Sequence, residues 1–456
     1  MRTIRVSEMI DKQKFNRFHL QILLSCIFII ICDGYDMFML GAILPSLMTE
    51  WKITAVEAGL FSSYALFGMM IGALVFGPIA DKFGRKKVIL ICTVIFSIFT
   101  FTSGFADTPT SFGIQRFIAG LGLGGVMPNL IAIITEYAPK KLRSTLVAIM
   151  FSGHALGGVV ASLGAMYLIP NFGWRAVVWL GALPLIFMPI LYKMLPESLN
   201  YFILKNQKSQ MADVLNQVDV NGKYTANDHY VLHEKSKNDS TGFPVKQLFK
   251  KGRIVSTIMF WVAFFMCLFV MYGLSTWLPK IMEGAGYELG SSLTFLVTLN
   301  LGAIFGAIVG GKLADRFGSK VVLISFLVIG FATLTMLSYK PSMIMLYVLI
   351  AIAGGTTTGT QIVTNAYVSQ FYPNEIRSTG VDWALGVGRI GGIIAPTFCG
   401  VLLDMKLSLQ VNFLAFAIPC IIAQLRFGLY RKNPAIWPLV VRKRNWFRIT
   451  FIPRLS

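Results

Sequence analysis

The chain has 456 residues, with 41 Lys and Arg against 21 Asp and Glu for a net charge of +20, yet only 14% of its residues are charged and 55% are hydrophobic. A soluble domain carries roughly 25% charged residues, so this composition excludes a soluble globular fold, and equally a disordered chain, a collagen-like rod or a disulfide scaffold. The six cysteines, Cys26, Cys32, Cys92, Cys267, Cys399 and Cys420, lie inside apolar runs without paired spacing or a neighbouring His, and so read as small apolar packing rather than zinc ligands.

A transmembrane helix needs about 20 mostly apolar residues. That length predicts a first set of six spans over Leu20–Met48, Ala55–Ala80, Val88–Phe105, Phe112–Thr135, Ser144–Leu168 and Trp174–Leu195. A second set covers Ile254–Leu278, Ser291–Gly311, Val321–Ser338, Ser342–Val368, Ser378–Leu403 and Leu409–Leu429. The expected fold is an all-α integral membrane protein of 12 helices, without the short alternating segments of a β-barrel. The first apolar run is too long for a cleaved signal peptide and lacks a small-residue cleavage site. Of the 41 basic residues, 34 fall in loops on one side, while the other side holds only Lys52, Arg175, Lys280, Lys340 and Lys406. The positive-inside bias then puts both termini in the cytoplasm. Positive charge spread over alternating loops also argues against nucleic-acid binding.

The chain repeats itself. Gly77-Pro-Ile-Ala-Asp81-Lys-Phe-Gly84-Arg85-Lys-Lys returns as Gly311-Lys-Leu-Ala-Asp315-Arg316-Phe-Gly318-Ser-Lys, a shift of 234. The same shift carries Leu44-Pro45 onto Leu278-Pro279, Gly68 and Gly72 onto Gly302 and Gly306, and Arg143-Ser-Thr onto Arg377-Ser-Thr. Two parallel six-helix repeats, residues 1–195 and 253–430, joined by a polar loop over 196–252, are the duplicated plan of a secondary transporter with substrate held between the halves. Residues 431–456 form a basic tail.

With that duplication and the loop motif G-x-x-x-D-x-x-G-R-[KR]-[KR] at Gly77–Lys87, nearly the whole chain resembles the major facilitator superfamily. The resemblance implies that Asp81 and Arg85, with Glu136 at the end of the fourth span, gate the cytoplasmic opening, Gly77 and Gly84 shaping the loop and Asp315, Arg316 and Gly318 forming a degenerate second copy. Gly386-Val-Gly-Arg-Ile-Gly391 fits a dinucleotide fingerprint only in letters, since no strand precedes it; small residues packing one membrane helix on another is the better account.

Each Asp or Arg at mid-span costs about 2.5–3.5 kcal/mol, so Asp33, Asp36, Arg116, Asp382 and Arg389 need partners or functions. Asp33 and Asp36 are one turn apart and share a face of the first span. Two carboxylates in one poorly solvated patch cannot both hold charge easily, which suits one of them to bind and release a proton; a structural pairing with Arg116 or a lysine is the alternative. Asp382 and Arg389, two turns apart, point the same way, and a guanidinium at that depth can grip a carboxylate in a fork or form a permanent ion pair. Arg116 either pairs with Asp36 or guides an anion inward. Neither arginine has a charged counterpart at the repeat shift, where Ile350 and Ala155 stand. His154 could relay protons, but a lone histidine among glycines is expected to be packed and hydrogen-bonded. Tyr35, Phe38, Tyr64, Tyr272 and Trp383 could stack on a planar substrate, with packing the default for each.

Asp33-Gly-Tyr-Asp36, with Arg116 in Gln115-Arg-Phe-Ile-Ala-Gly-Leu-Gly-Leu-Gly-Gly125, is similar to the aromatic acid:proton symporter branch of that superfamily. The resemblance implies proton-driven import of benzoate, a hydroxybenzoate or a related acid such as muconate by alternating access across a bacterial inner membrane. The helix 1 aspartates and Arg116 would be essential to it. The expected partners are a small aromatic carboxylate, protons and the lipid bilayer, with the protein a monomer. An efflux antiporter is the alternative, although the fifth span lacks the Gly-Pro element typical of drug antiporters. No metal, nucleophile or cofactor constellation is found, so neither an enzyme nor a cofactor is expected. Pro196-Glu197-Ser198 is shared with sugar and organic-ion carriers and does not discriminate. The tail, rich in Arg and Lys with Trp437 and Trp446, departs from the short polar tail of the family. It reads either as a segment lying on the anionic inner leaflet or as an altered reading frame.

Overall fold

The computed structural model describes residues 3–219, 222–231, 247–249, 253–339, 341–372 and 376–428. Among these, eleven helices are long and apolar enough to cross a membrane, and the apolar helix Leu409–Gly428 follows them. The first six spans are Arg17–Trp51, Ala55–Phe83, Arg85–Ser103, Pro109–Tyr137, Arg143–Phe172 and Trp174–Met194, the last broken by a 3₁₀ turn at Leu180–Ala182. The seventh to twelfth are Ile254–Gly284, Leu289–Phe317, Ser319–Leu337, Met343–Phe371, Arg377–Asp404 and Leu409–Gly428.

The repeat shift reappears in the backbone. Adding 234 to the second, third and fourth spans reproduces both ends of the eighth, ninth and tenth to the residue. Turn geometry follows: Lys52 and Gly286 both have positive φ, as do Gly84 and Gly318. Local signals start the helices. Asn16 accepts from the His19 amide, Thr54 from the Glu57 amide and Thr108 from the Ser111 amide, filling donors that a helix start leaves open.

The termini-bearing end and the opposite, far end are joined differently. One apolar core runs from the far end of the first half (Phe38, Leu44, Ala58, Ala165, Trp174) into the second half, while the first half's core near the termini (Ile22, Ile89, Leu130, Met150) is separate. Hydrogen bonds between the halves gather at the far end. Asp404, at the end of the eleventh span, accepts from the Ala55 and Val56 amides at 2.8 and 3.0 Å. The Ser63 hydroxyl donates to the Ile393 carbonyl at 2.6 Å and meets the Thr397 hydroxyl. A carboxylate on exposed amides at a helix start also suits the helix dipole. The halves are thus clamped at the far end, away from the termini.

The central segment is more than a loop. Leu199–Leu204 and Lys208–Val218 are helices, and His229–Val231 pairs in parallel with Thr3–Arg5. The short helix Val6–Lys12 follows that first strand, Asp11 pairs with Arg143 at 2.9 Å, and the Asn16 side-chain amide donates to the Val218 carbonyl at 2.9 Å. These contacts tie the linker to the base of the first half. Much of 232–252 and the whole basic tail 431–456 lie outside the described residues.

Candidate functional site

Asp33 lies halfway along the first span, where Gly34 brings that helix onto the backbone of the fifth span at His154 with no room for a side chain between them. Close approach at this point lets His154 Nδ1 reach Asp33 Oδ2 at 3.1 Å. When Asp33 is ionised the nitrogen is the donor, since a carboxylate only accepts. Asp33 is fully buried and its other oxygen, Oδ1, has no hydrogen-bond partner among the described residues. The Phe38 ring lies 5.3 Å from the imidazole. Across the seam between the halves, Arg389 of the eleventh span and Tyr272 of the seventh lie within electrostatic reach of Asp33 and of each other. The Tyr272 ring packs on Gly392, and Asn300 of the eighth span packs on Gly158, one turn beyond His154. His154 is therefore packed and hydrogen-bonded as expected, but its partner is the carboxylate at the centre of the molecule.

Asp36 belongs to a different assembly. Arg116 Nη2 and Nη1 hold its two oxygens at 2.5 and 2.9 Å. The Thr100 hydroxyl donates to Asp36 as well and accepts from Arg116 at 3.1 Å. Asp36 and Arg116 are both fully buried. Of the two sequence readings for Arg116, this geometry is the pairing with Asp36. A forked guanidinium–carboxylate pair in hydrocarbon is costly to break, about 3–5 kcal/mol on losing one partner, so it pins the first, third and fourth spans together. The two carboxylates one turn apart are therefore divided: Asp36 is answered by a full charge, Asp33 by an imidazole.

Asp382 points the same way as Arg389, but seven residues along a helix is about 10 Å, and the two do not pair. Asp382 is exposed and forms no ion pair among the described residues. Beside it Trp383 stacks on Trp261 at 5.9 Å, while the Tyr35 hydroxyl is used by the Val177 carbonyl and Tyr64 is exposed.

The loop residues meet at the termini-bearing end. Arg85 bridges Asp81 at 3.3 Å and Glu136 at 2.8 Å. Glu136 also accepts from the Ser198 hydroxyl, the Leu199 backbone amide and the Asn200 side-chain amide. Glu197 accepts from the amides of Lys86 and Ser198, and Gly84 turns with φ +102° against its carboxylate. Gly77 faces open space. In the second copy Gly318 has φ +89°, while Asp315 and Arg316 are exposed and Arg316 lies over Phe317. Sequence reasoning passed over Pro196-Glu197-Ser198 as undiscriminating, yet it completes this network. It missed Asp404 altogether; the available signal was a carboxylate at the end of a span on the side poor in charge.

The description Major Facilitator Superfamily matches residues 26–320 and 290–450 of the chain. The chain is 44% identical over 426 residues to the benzoate transport protein of Acinetobacter baylyi, covering 92% of this chain and 91% of that one. It is 36% identical to the gentisate transporter of Corynebacterium glutamicum, covering 88% and 85%. Among solved structures, a partially occluded, inward-open xylose transporter XylE from E. coli superposes with a TM-score of 0.73 at 18% identity, covering 91% of this chain and 98% of that one. A likeness at that identity is one of fold.

Proposed function

Since the chain belongs to the major facilitator superfamily and resembles carriers of benzoate and gentisate, we propose that it moves aromatic carboxylates across the bacterial inner membrane by alternating access. It is a multi-pass membrane transporter, not an enzyme. The reading of the substrate rests on Arg389 of one half lying within electrostatic reach of Asp33 of the other across the seam. A guanidinium at the seam can take the carboxylate of a benzoate-like acid in a fork, and Tyr272 and Phe38 supply ring faces and edges for the aromatic body. The carboxylate would displace Asp33 as the countercharge of Arg389, leaving Asp33 to hold the coupling proton. Asp36 and Arg116 act one step removed, fixing the first span, and Asp382 serves as a second charge nearer the end of the eleventh span.

The bundles 1–195 and 253–430 rock about this site. The positive-inside bias of the basic loops supports a cytoplasmic termini-bearing end; on that reading the clamp at Asp404 closes the outer face, and Asp81, Arg85 and Glu136 belong to the inner gate. The working unit is a monomer, since the seam lies within one chain.

The test is uptake of labelled benzoate into liposomes holding the purified protein, with the outside acid. Accumulation that disappears when the gradient is collapsed, and is lost in Asp33→Asn and Arg389→Ala with both proteins correctly inserted, is the expected result. Wild-type uptake in either variant would remove that residue from the site, and outward flux alone would convert the reading to efflux.

A further inference from the structure

Building on the coupled import proposed above, we infer that His154 and Asp33 hold the coupling proton jointly and that His154 is its port of entry. Asp33 exposes none of its side chain, whereas the imidazole exposes 10%. A proton arriving along the seam therefore meets the imidazole before the carboxylate. The pair is joined by the Nδ1···Oδ2 bond of 3.1 Å and leaves two atoms for a further proton, His154 Nε2 and the unpartnered Asp33 Oδ1. Their surroundings carry little other charge. On its own span Asp33 has Cys32, Tyr35 and Asp36 for neighbours, and Asp36 is held by Arg116 of the fourth span. The seventh span contributes Tyr272, the eleventh Arg389 and the eighth only the neutral Asn300.

Charge then balances in both states that cross the membrane. In the empty carrier the pair holds one proton, on Nδ1, and its single negative charge answers Arg389. When a second proton binds at Nε2 or Oδ1 the pair becomes neutral and Arg389 is left without a countercharge, which draws in one substrate carboxylate. Bringing in the anion alone, or the proton alone, would leave a net charge at the seam in a medium of low dielectric, a large penalty. One proton per carboxylate follows, with no net charge moved.

The experiment uses the full chain in liposomes and two variants. His154→Asn keeps an amide N–H for Asp33 but cannot take up a proton; His154→Leu removes both properties. Two fluxes are read with labelled benzoate: accumulation driven by a pH gradient, and counterflow, an exchange that needs no net proton movement. In His154→Asn, gradient-driven accumulation falls by roughly tenfold or more, and by a clearly larger factor than counterflow does. The pH dependence of that accumulation flattens as well. His154→Leu loses counterflow as well, since Asp33 is then unsupported. Accumulation in His154→Asn with the wild-type pH profile would overturn the assignment, and so would loss of both fluxes in His154→Asn when it inserts normally, which would make the histidine a packing residue. A wild type indifferent to the pH gradient would sink the coupled import itself; a gradient-driven wild type with an unaffected His154→Asn sinks only the role of His154. Accumulation that responds to an imposed membrane potential at fixed pH would overturn the one-to-one balance.

Discussion

The two copies of the loop motif have the same backbone and different chemistry. Gly84 and Gly318 both sit at positive φ, and each donates its amide to the alanine four residues earlier at 2.9 Å. Around Gly84 this turn supports a charged network, in which Arg85 joins Asp81 to Glu136, and Glu197 and Ser198 close it from the segment after the sixth span. At the repeat shift Arg85 and Glu136 become Ser319 and Gln370, and Asp315 and Arg316 stand exposed. Duplication kept what the helix-to-helix turn requires and let the charges go. The comparison separates the part of the motif that folds a turn from the part that ties three segments into one end of the molecule.

The sharpest way to test that separation is the pair Gly84→Ala and Gly318→Ala. Positive φ with an extended ψ is strained for an L-residue by about 1–2 kcal/mol, and this applies to both. A Cβ at Gly318 would meet no atom within 4 Å, but one at Gly84 runs into the Glu197 carboxylate. Moving that carboxylate off the Lys86 and Ser198 amides costs about 1 kcal/mol more. Gly84→Ala should therefore lose about 2–3 kcal/mol and Gly318→Ala about 1–2, measured by thermal unfolding in detergent. In a Glu197→Ala background the two glycine substitutions should cost the same, and a persisting gap would mean that the carboxylate is not what separates them. A smaller loss, about 1–2 kcal/mol, is expected of Arg85→Ala, because Glu136 keeps its donors from Ser198, Leu199 and Asn200. Ser319→Ala, the matching change in the second half, should fall within about 0.5 kcal/mol of wild type. Equal losses at the two positions would contradict the asymmetry.

Much of this was legible in the sequence, for definable reasons. Hydrophobic runs located the spans to within about six residues at either end, and a single shift related the halves because it conserves turn glycines such as Gly84 and Gly318, which depend only on local backbone. The loop motif also singled out Arg85 and Glu136, which lie 2.8 Å apart. What stayed hidden depends on how helices rotate against one another. Asp33 and Asp36 look equivalent one turn apart, yet a rotation of about 60° turns one toward Arg116 and Thr100 and the other toward His154. Nothing within the first span decides which. His154 stood among glycines, and those glycines are the reason it reaches Asp33, since Gly34 and Gly157 let the two helices touch. The pairing of Thr3–Arg5 with His229–Val231 joins segments more than 220 residues apart, in runs too short to announce a strand.

The smallest expected effect comes from restoring the lost charges. In the double variant Ser319→Arg and Gln370→Glu, the second half regains the counterparts of Arg85 and Glu136 on a backbone that already matches. Their gain should nevertheless stay under about 1 kcal/mol, the usual worth of an ion pair with access to solvent. In the first half, Glu136 is held by Ser198, Leu199 and Asn200 as well as by Arg85, so the arginine works on a carboxylate already fixed in place. At the repeat shift Glu197 becomes Arg431, so the sequence carries no acid at the position matching the one that caps the third span. A graft without that third segment must order two long side chains for one pair, and the entropy of doing so offsets most of the attraction. A gain as large as the Arg85→Ala loss would mean that the turn and the ion pair suffice, and that Glu197 and Ser198 are bystanders. A gain near zero would locate the strength of the first network in its third segment, whose Glu197 has no acidic counterpart at the repeat shift.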